Sequence, residues 1–151
     1  MNLTLWPSRH RFLAGALIFI GAAGLHAESG PVFQIIFNEI SAAEISQLPT
    51  LAQLEVLAEF QVRPEDLEKL DGERFGQIER EGRKLYRYRA KDLRIYFEVT
   101  NGSVVVHRVL NKNTLQDFLF RTKLPFSEDE ELSQSKTFWK LIEEGEKARR
   151  L

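Results

Sequence analysis

The side chains able to do chemistry gather in one stretch, RKLYRYRAKDLRIYFEVTNGSVVVHRVLNK, from Arg83 to Lys112. Eight Lys and Arg residues there stand against Asp92 and Glu98, in a chain whose formal net charge is −1. A basic segment on a near-neutral chain points to an anion site, most simply one for phosphates. The plainer reading is a solvated strand face. Arginine suits phosphate because its planar fork donates two parallel hydrogen bonds to the oxygens. Two proton-transfer groups share the stretch, Tyr96 and His107; the other histidines, His10 and His26, lie near the N-terminus. Flanking arginines favour the neutral imidazole, which can act as a base. Other chemistries are absent from the pattern. Without cysteine there are no disulfides, thiolate zinc sites or Cys nucleophiles. No Gly-rich phosphate loop, metal-ligand cluster or Ser/His/Asp spacing stands out, so neither a cofactor nor a metal is expected.

The elements that must position these residues are three consecutive antiparallel strands. Asn101-Gly102 is a strong hairpin signal, because a type I′ turn needs φ > 0 at both central residues. That turn sets Thr100 opposite Ser103, Glu98 opposite Val105, Tyr96 opposite His107 and Arg94 opposite Val109. A turn at Lys91-Asp92 sets Arg89 opposite Arg94 and Arg87 opposite Tyr96. Side chains alternate along a strand. One face then carries Tyr86, Tyr88, Ile95, Phe97, Val99, Val104 and Val106. The other carries Arg87, Arg89, Arg94, Tyr96, Glu98 and His107. The two hairpins, registered independently, agree on the apolar face, and a one-residue slip would mix the faces.

LYRYRAKDLRIYFEV, a turn, VVVHRV and a closing helical segment resemble the C-terminal half of the RelE/ParE toxin family. Its RelE-like members are cytotoxic translational repressors of bacterial toxin–antitoxin systems. The resemblance runs from Phe33 to about Arg121. It implies an α+β fold, a small antiparallel sheet with N-terminal helices packed on one face and the basic face open. It implies a toxin that inhibits translation by binding and cleaving mRNA at the ribosome, as a metal-independent endoribonuclease of the mRNA interferase type. Attack of a ribose 2′-OH on the adjacent phosphate needs a base, an acid and cations. Carried over residue by residue, Arg87, Arg89 and Lys112 hold RNA phosphates and Arg94 opens the next strand. The family's C-terminal tyrosine falls at Phe118 or Phe120, which have no hydroxyl. The catalytic set is therefore His107, Tyr96 and Arg94. The implied partners are mRNA on the ribosome and an antitoxin whose acidic segment covers the basic face. The alternatives are a ParE-like toxin that acts on a topoisomerase without cutting RNA, and a non-catalytic anion-binding module.

The flanks complete the reading. Residues 1–30 hold Arg9, His10 and Arg11 before an apolar run from Phe12 to Leu25, then Ala27. This is either a signal peptide, which would export the protein, or a mis-assigned extension before a true start near Val32, which leaves it cytoplasmic. A membrane enters only if that segment is retained. Residues 31–125 form the toxin-like domain. Within it, Phe33 to Phe37 alternate as a strand, and Ser41 with Glu44 predicts a capping box. Thr50 predicts the cap of a second helix with Leu51, Leu54 and Leu57 turned inward. Pro64 opens a third short helix, and Glu73 to Gly82 reads as a loop or ragged strand. Residues 126–151 form an acidic amphipathic helical tail with Phe138, Trp139 and Ile142 on one side. Its Glu128–Glu131 run competes with an antitoxin as the cover of the basic face.

Overall fold

A computed structural model describes residues 31–119 and 127–151, with the side chains of 116–119 not included. The expectations attached to residues 1–30, Phe120, Arg121 and the Phe118 side chain lie outside what is described.

The order is β1 (Gln34–Phe37), α1 (Glu39–Ser46), α2 (Thr50–Glu59), α3 (Pro64–Glu68), β2 (Phe75–Arg80), β3 (Arg83–Ala90), β4 (Leu93–Thr100), β5 (Ser103–Asn111), α4 (Lys112–Leu119), α5 (Glu128–Ser133) and α6 (Lys136–Lys147). It is an α+β chain with one five-stranded sheet in the order β1-β5-β4-β3-β2. The meander is antiparallel, while β1 joins its edge parallel to β5. Asn101 and Gly102 both have positive φ, 52° and 75°, as the hairpin turn requires. The Glu73–Gly82 segment is more regular than the sequence implies. Phe75–Arg80 pairs along its length with β3 through a tight turn at Glu81-Gly82.

The upstream register is as expected, with Tyr86 opposite Phe97, Arg87 opposite Tyr96 and Arg89 opposite Arg94. The downstream register holds from the turn as far as Phe97. Phe97 then pairs with Val106 while Tyr96 pairs with Arg108, so His107 is the extra residue of a β-bulge. Tyr96 is therefore not opposite His107, and Arg94 faces Leu110 in place of Val109. The physical reason is sidedness. Without the bulge Val109 would join the arginines, whereas with it Val109 enters the apolar core and Leu110 takes the other face.

That core joins Ile95, Phe97, Val104, Val106 and Tyr88 to Phe37, Ala42, Ile45, Val56 and Phe60. Helix α1 starts one turn earlier than the Ser41 cap implies. Asn38 is the N-cap and Ser41 the third helical residue, and they bond reciprocally at 2.7 and 3.0 Å. Asn38 wins because it is buried and its amide also reaches the carbonyls of Val106, His107 and Gly145. Glu44 is freed for Arg108, at 2.6 Å. Helix α2 turns Val56 inward, while Leu51 and Leu54 are 71% and 59% exposed, against the expected stripe.

The largest departure is on the other face of the sheet, which is not open. A second core of Ile78, Leu85, Tyr96 and Leu110 packs against Leu115 of α4, Leu132 of α5 and Phe138, Trp139 and Ile142 of α6. Gly145 makes the close approach of α6 possible. A Cβ there would lie 2.2 Å from the His107 carbonyl oxygen. The chain end returns to the first strand, where the backbone N–H of Leu151 donates to the Phe37 carbonyl at 3.0 Å. Among the described residues no helix is long and apolar enough to cross a membrane.

Candidate anion-binding face

Strands β3 and β4 set Arg87, Arg89, Arg94 and Tyr96 on one face by simple alternation. Helix α5 then lays two consecutive carboxylates over that face. Arg87 Nε and Nη2 donate to the two Asp129 oxygens at 3.2 and 2.7 Å. Arg94 Nε and Nη2 donate to the two Glu128 oxygens at 2.8 and 3.3 Å. Both are fork-to-fork pairs, the geometry in which arginine also grips phosphate. The remaining guanidinium donors reach backbone carbonyls: Glu73, Arg74 and Gly72 for Arg87, and Lys91 and Leu93 for Arg94. Arg87 is 1% exposed and Arg94 5%. Burial, the largest single influence, opposes the charge on Arg87, but the Asp129 hydrogen bond together with the nearby negative charges of Asp129 and Glu128 outweighs it and the pKa is raised.

Helix α5 is suited to this position. Ser127 caps it, accepting from the Glu130 N–H at 3.3 Å, and the acids of its first turn complement the positive end of the helix. Gly76 on β2 leaves room for the Arg87–Asp129 pair, since a Cβ there would lie 2.3 Å from Arg87 Nη2 and 2.7 Å from Asp129 Oδ2.

Tyr96 is fully buried beneath this layer, edge-on to Phe138 at 5.0 Å between ring centroids. Its hydroxyl has no hydrogen-bond partner among the described residues. Burial, then the nearby Glu128 and Asp129 charges, push its pKa well above the ordinary tyrosine value. Arg89 is half-buried beside Arg94, and its Nε also lacks a partner among the described residues. His107 is not in this group. The bulge turns its Nε2 to Glu98 Oε2 at 3.0 Å, and that bond, aided by nearby positive charge, lowers the Glu98 pKa against the opposing effect of burial. Lys112 is also apart. It lines an open groove of about 710 Å³ with Leu48, Ala52, Val56 and Leu93, none of which belongs to the arginine face.

So the fold assembles Arg87, Arg89, Arg94 and Tyr96 and leaves out His107 and Lys112. It adds Glu128 and Asp129, whose acidic run was legible in the sequence but whose pairing was not. It also adds Arg83 and Arg108 as further links to the tail. Arg108 joins Glu44 of α1 to Leu141 and Glu144 of α6, and Arg83 pairs with Glu98 and Glu146 beside the Trp139 ring.

No family model, no curated protein and no solved structure matches the chain.

Proposed function

We propose that this chain is a RelE/ParE-like toxin-type domain whose phosphate-gripping face is closed in cis by its own C-terminal helices. In this state it neither binds nor cuts mRNA at the ribosome. The observation that carries the reading is the pair of fork-to-fork contacts. Glu128 and Asp129 present their oxygens to Arg94 and Arg87 as two adjacent phosphates would. The Tyr96 hydroxyl, without a partner among the described residues, fits a face built around a ligand that the carboxylates only partly replace. An antitoxin's acidic segment would be redundant here, since the chain supplies its own. The proton chemistry first assigned to Tyr96 with His107 is left without a pair, because the bulge separates them.

The test uses the isosteric double variant Glu128→Gln/Asp129→Asn, which keeps the shape and removes both charges. Wild type is expected to bind single-stranded RNA negligibly and to leave growth and mRNA intact when the chain begun at Val32 is induced in bacteria. The double variant should bind RNA with a log–log salt slope steeper by about 0.7 for each freed arginine. Wild-type induction that arrests growth and cleaves mRNA would refute the closed state. Arrest with intact mRNA would point to a topoisomerase-type target. A folded double variant with no gain in RNA binding would reduce the arginines to structural clamps.

A further inference from the structure

Glu98 of β4, His107 of β5 and Glu146 of α6 converge where α6 crosses the sheet, on the face that also carries the arginines but apart from the Arg87–Asp129 and Arg94–Glu128 pairs. One ligand-type atom from each lies within 4.8 Å of the other two. His107 Nε2 is 3.0 Å from Glu98 Oε2, and the Glu146 carboxyl stands within hydrogen-bonding reach of Glu98. Two separate packing features build this convergence. The bulge aims the imidazole, which is what bulges beside functional sites do, and the Asn38 amide holds the bulged carbonyl at 3.2 Å. Gly145 then admits the α6 backbone against that same carbonyl, which delivers the next residue, Glu146, to the imidazole. The His107 side chain is 6% exposed and that of Glu146 35%, so the cluster is walled on one side and open on the other. Two carboxylates there stand against the single guanidinium of Arg83.

We propose that Glu98, His107 and Glu146 form a binding site for a divalent transition metal of the zinc type, which pins α6 to the sheet. This does not depend on the function proposed above. One imidazole nitrogen with two carboxylates suits zinc or cobalt, whereas calcium and magnesium select oxygen ligands alone. Three protein ligands leave a fourth tetrahedral position for water. Arg83 is the competitor. Its guanidinium lies 3.4 Å from Glu98 Oε2 and pairs with Glu146, and it sits 5.1 Å from the centre of the Trp139 ring. Its side chain is 28% exposed, which leaves it a path to solvent when a metal takes the carboxylates. One feature limits affinity. A metal on Nε2 puts the imidazole proton on Nδ1, which is buried and has no partner among the described residues. Such outer partners are worth about 10–100-fold in metal affinity, so binding is expected to be weaker by that factor than at a site whose imidazole has one.

The experiment titrates the full chain with cobalt(II), reading visible absorption, and repeats the thermal melt with zinc. Wild type is expected to give saturable cobalt bands at one equivalent, competed by zinc, and a higher Tm with zinc. His107→Ala should abolish the bands, and Glu146→Gln, at a half-exposed position, should weaken binding about 10-fold or more while the apo protein stays folded. Arg83→Gln should tighten binding, an effect that a purely structural Arg–Glu link does not produce. Absence of bands in wild type overturns the proposal, as do bands that persist unchanged in both ligand variants. An Arg83→Gln variant that binds no tighter would also overturn it.

Discussion

A buried hydroxyl without a partner is costly, and the Tyr96 hydroxyl, buried in the second core, has none among the described residues. Its removal tests whether the residue serves the fold or a ligand. Tyr96→Phe keeps the ring contact with Phe138 and deletes only the orphaned oxygen. Urea unfolding at neutral pH should show a gain of about 1 kcal/mol, the lower end of the cost of an unsatisfied buried group. The sign with pH follows from the raised pKa. The folded protein keeps the phenol protonated while the unfolded chain ionises near its ordinary value of about 10. The contribution is therefore complete below that pH and is lost as pH rises through the folded value. Alkaline unfolding should accordingly begin at higher pH in the variant. An unchanged or lower stability would mean that the hydroxyl has a partner in solution.

At the scale of elements, two glycines set how closely the tail meets the sheet, and they should differ in their tolerance. An added methyl at Gly76 meets the guanidinium end of Arg87 and the Asp129 carboxylate, side-chain tips that can shift together. At Gly145 it meets the backbone carbonyl of His107, fixed by the bulge and by Asn38. Gly76→Ala is expected to cost about 1–3 kcal/mol, the usual range for overpacking. Gly145→Ala should cost more than Gly76→Ala, and chemical denaturation of the two variants side by side would measure it. The reverse order would mean that α6 can lift from β5 more easily than α5 can from β2.

For the molecule as a whole, the C-terminal helices are a structural layer and not a removable lid. Leu132, Phe138 and Ile142 are fully buried and Trp139 is 7% exposed. At about 1.5–3 kcal/mol for each large apolar side chain, their burial alone is comparable to the net stability of a typical domain. Removing the tail also strands Arg87 and Arg94 without counter-charges, and breaking one buried pair typically costs about 3–5 kcal/mol. If the Glu128–Glu131 run covers the basic face only as a detachable segment, removing the residues after Pro125 would expose that face and raise RNA affinity. The expected outcome is instead loss of a cooperative melt and aggregation, read by calorimetry and light scattering. A truncated chain that melts cooperatively would restore the tail as a lid.

The parts legible in the sequence are those governed by neighbours a few residues away. Asn101-Gly102 dictates its turn through the φ angles it tolerates, and alternation assigns Phe97 to one face and Arg87, Arg94 and Tyr96 to the other. The agreement of Arg89 with Arg94 in register follows from the same short-range rules. Helix α2 was misoriented because Leu51, Leu54 and Val56 are interchangeable to a hydrophobic pattern, and only the sheet beneath decides which is covered. The bulge at His107 was invisible because its cause, keeping Val109 with the core, depends on both neighbours of β5 at once. The basic stripe is legible as a stripe, and the Glu128–Glu131 run as a rival for its cover, but not which carboxylate meets which arginine. Its fate rests on Asp129 meeting Arg87 across 42 residues and Glu128 meeting Arg94 across 34. No local spacing encodes such pairs; they form because burying Phe138, Trp139 and Ile142 brings α5 and α6 onto the sheet, and charge complementarity then selects the register. The Glu98, His107 and Glu146 cluster arises in the same way, from three elements that only tertiary packing brings together.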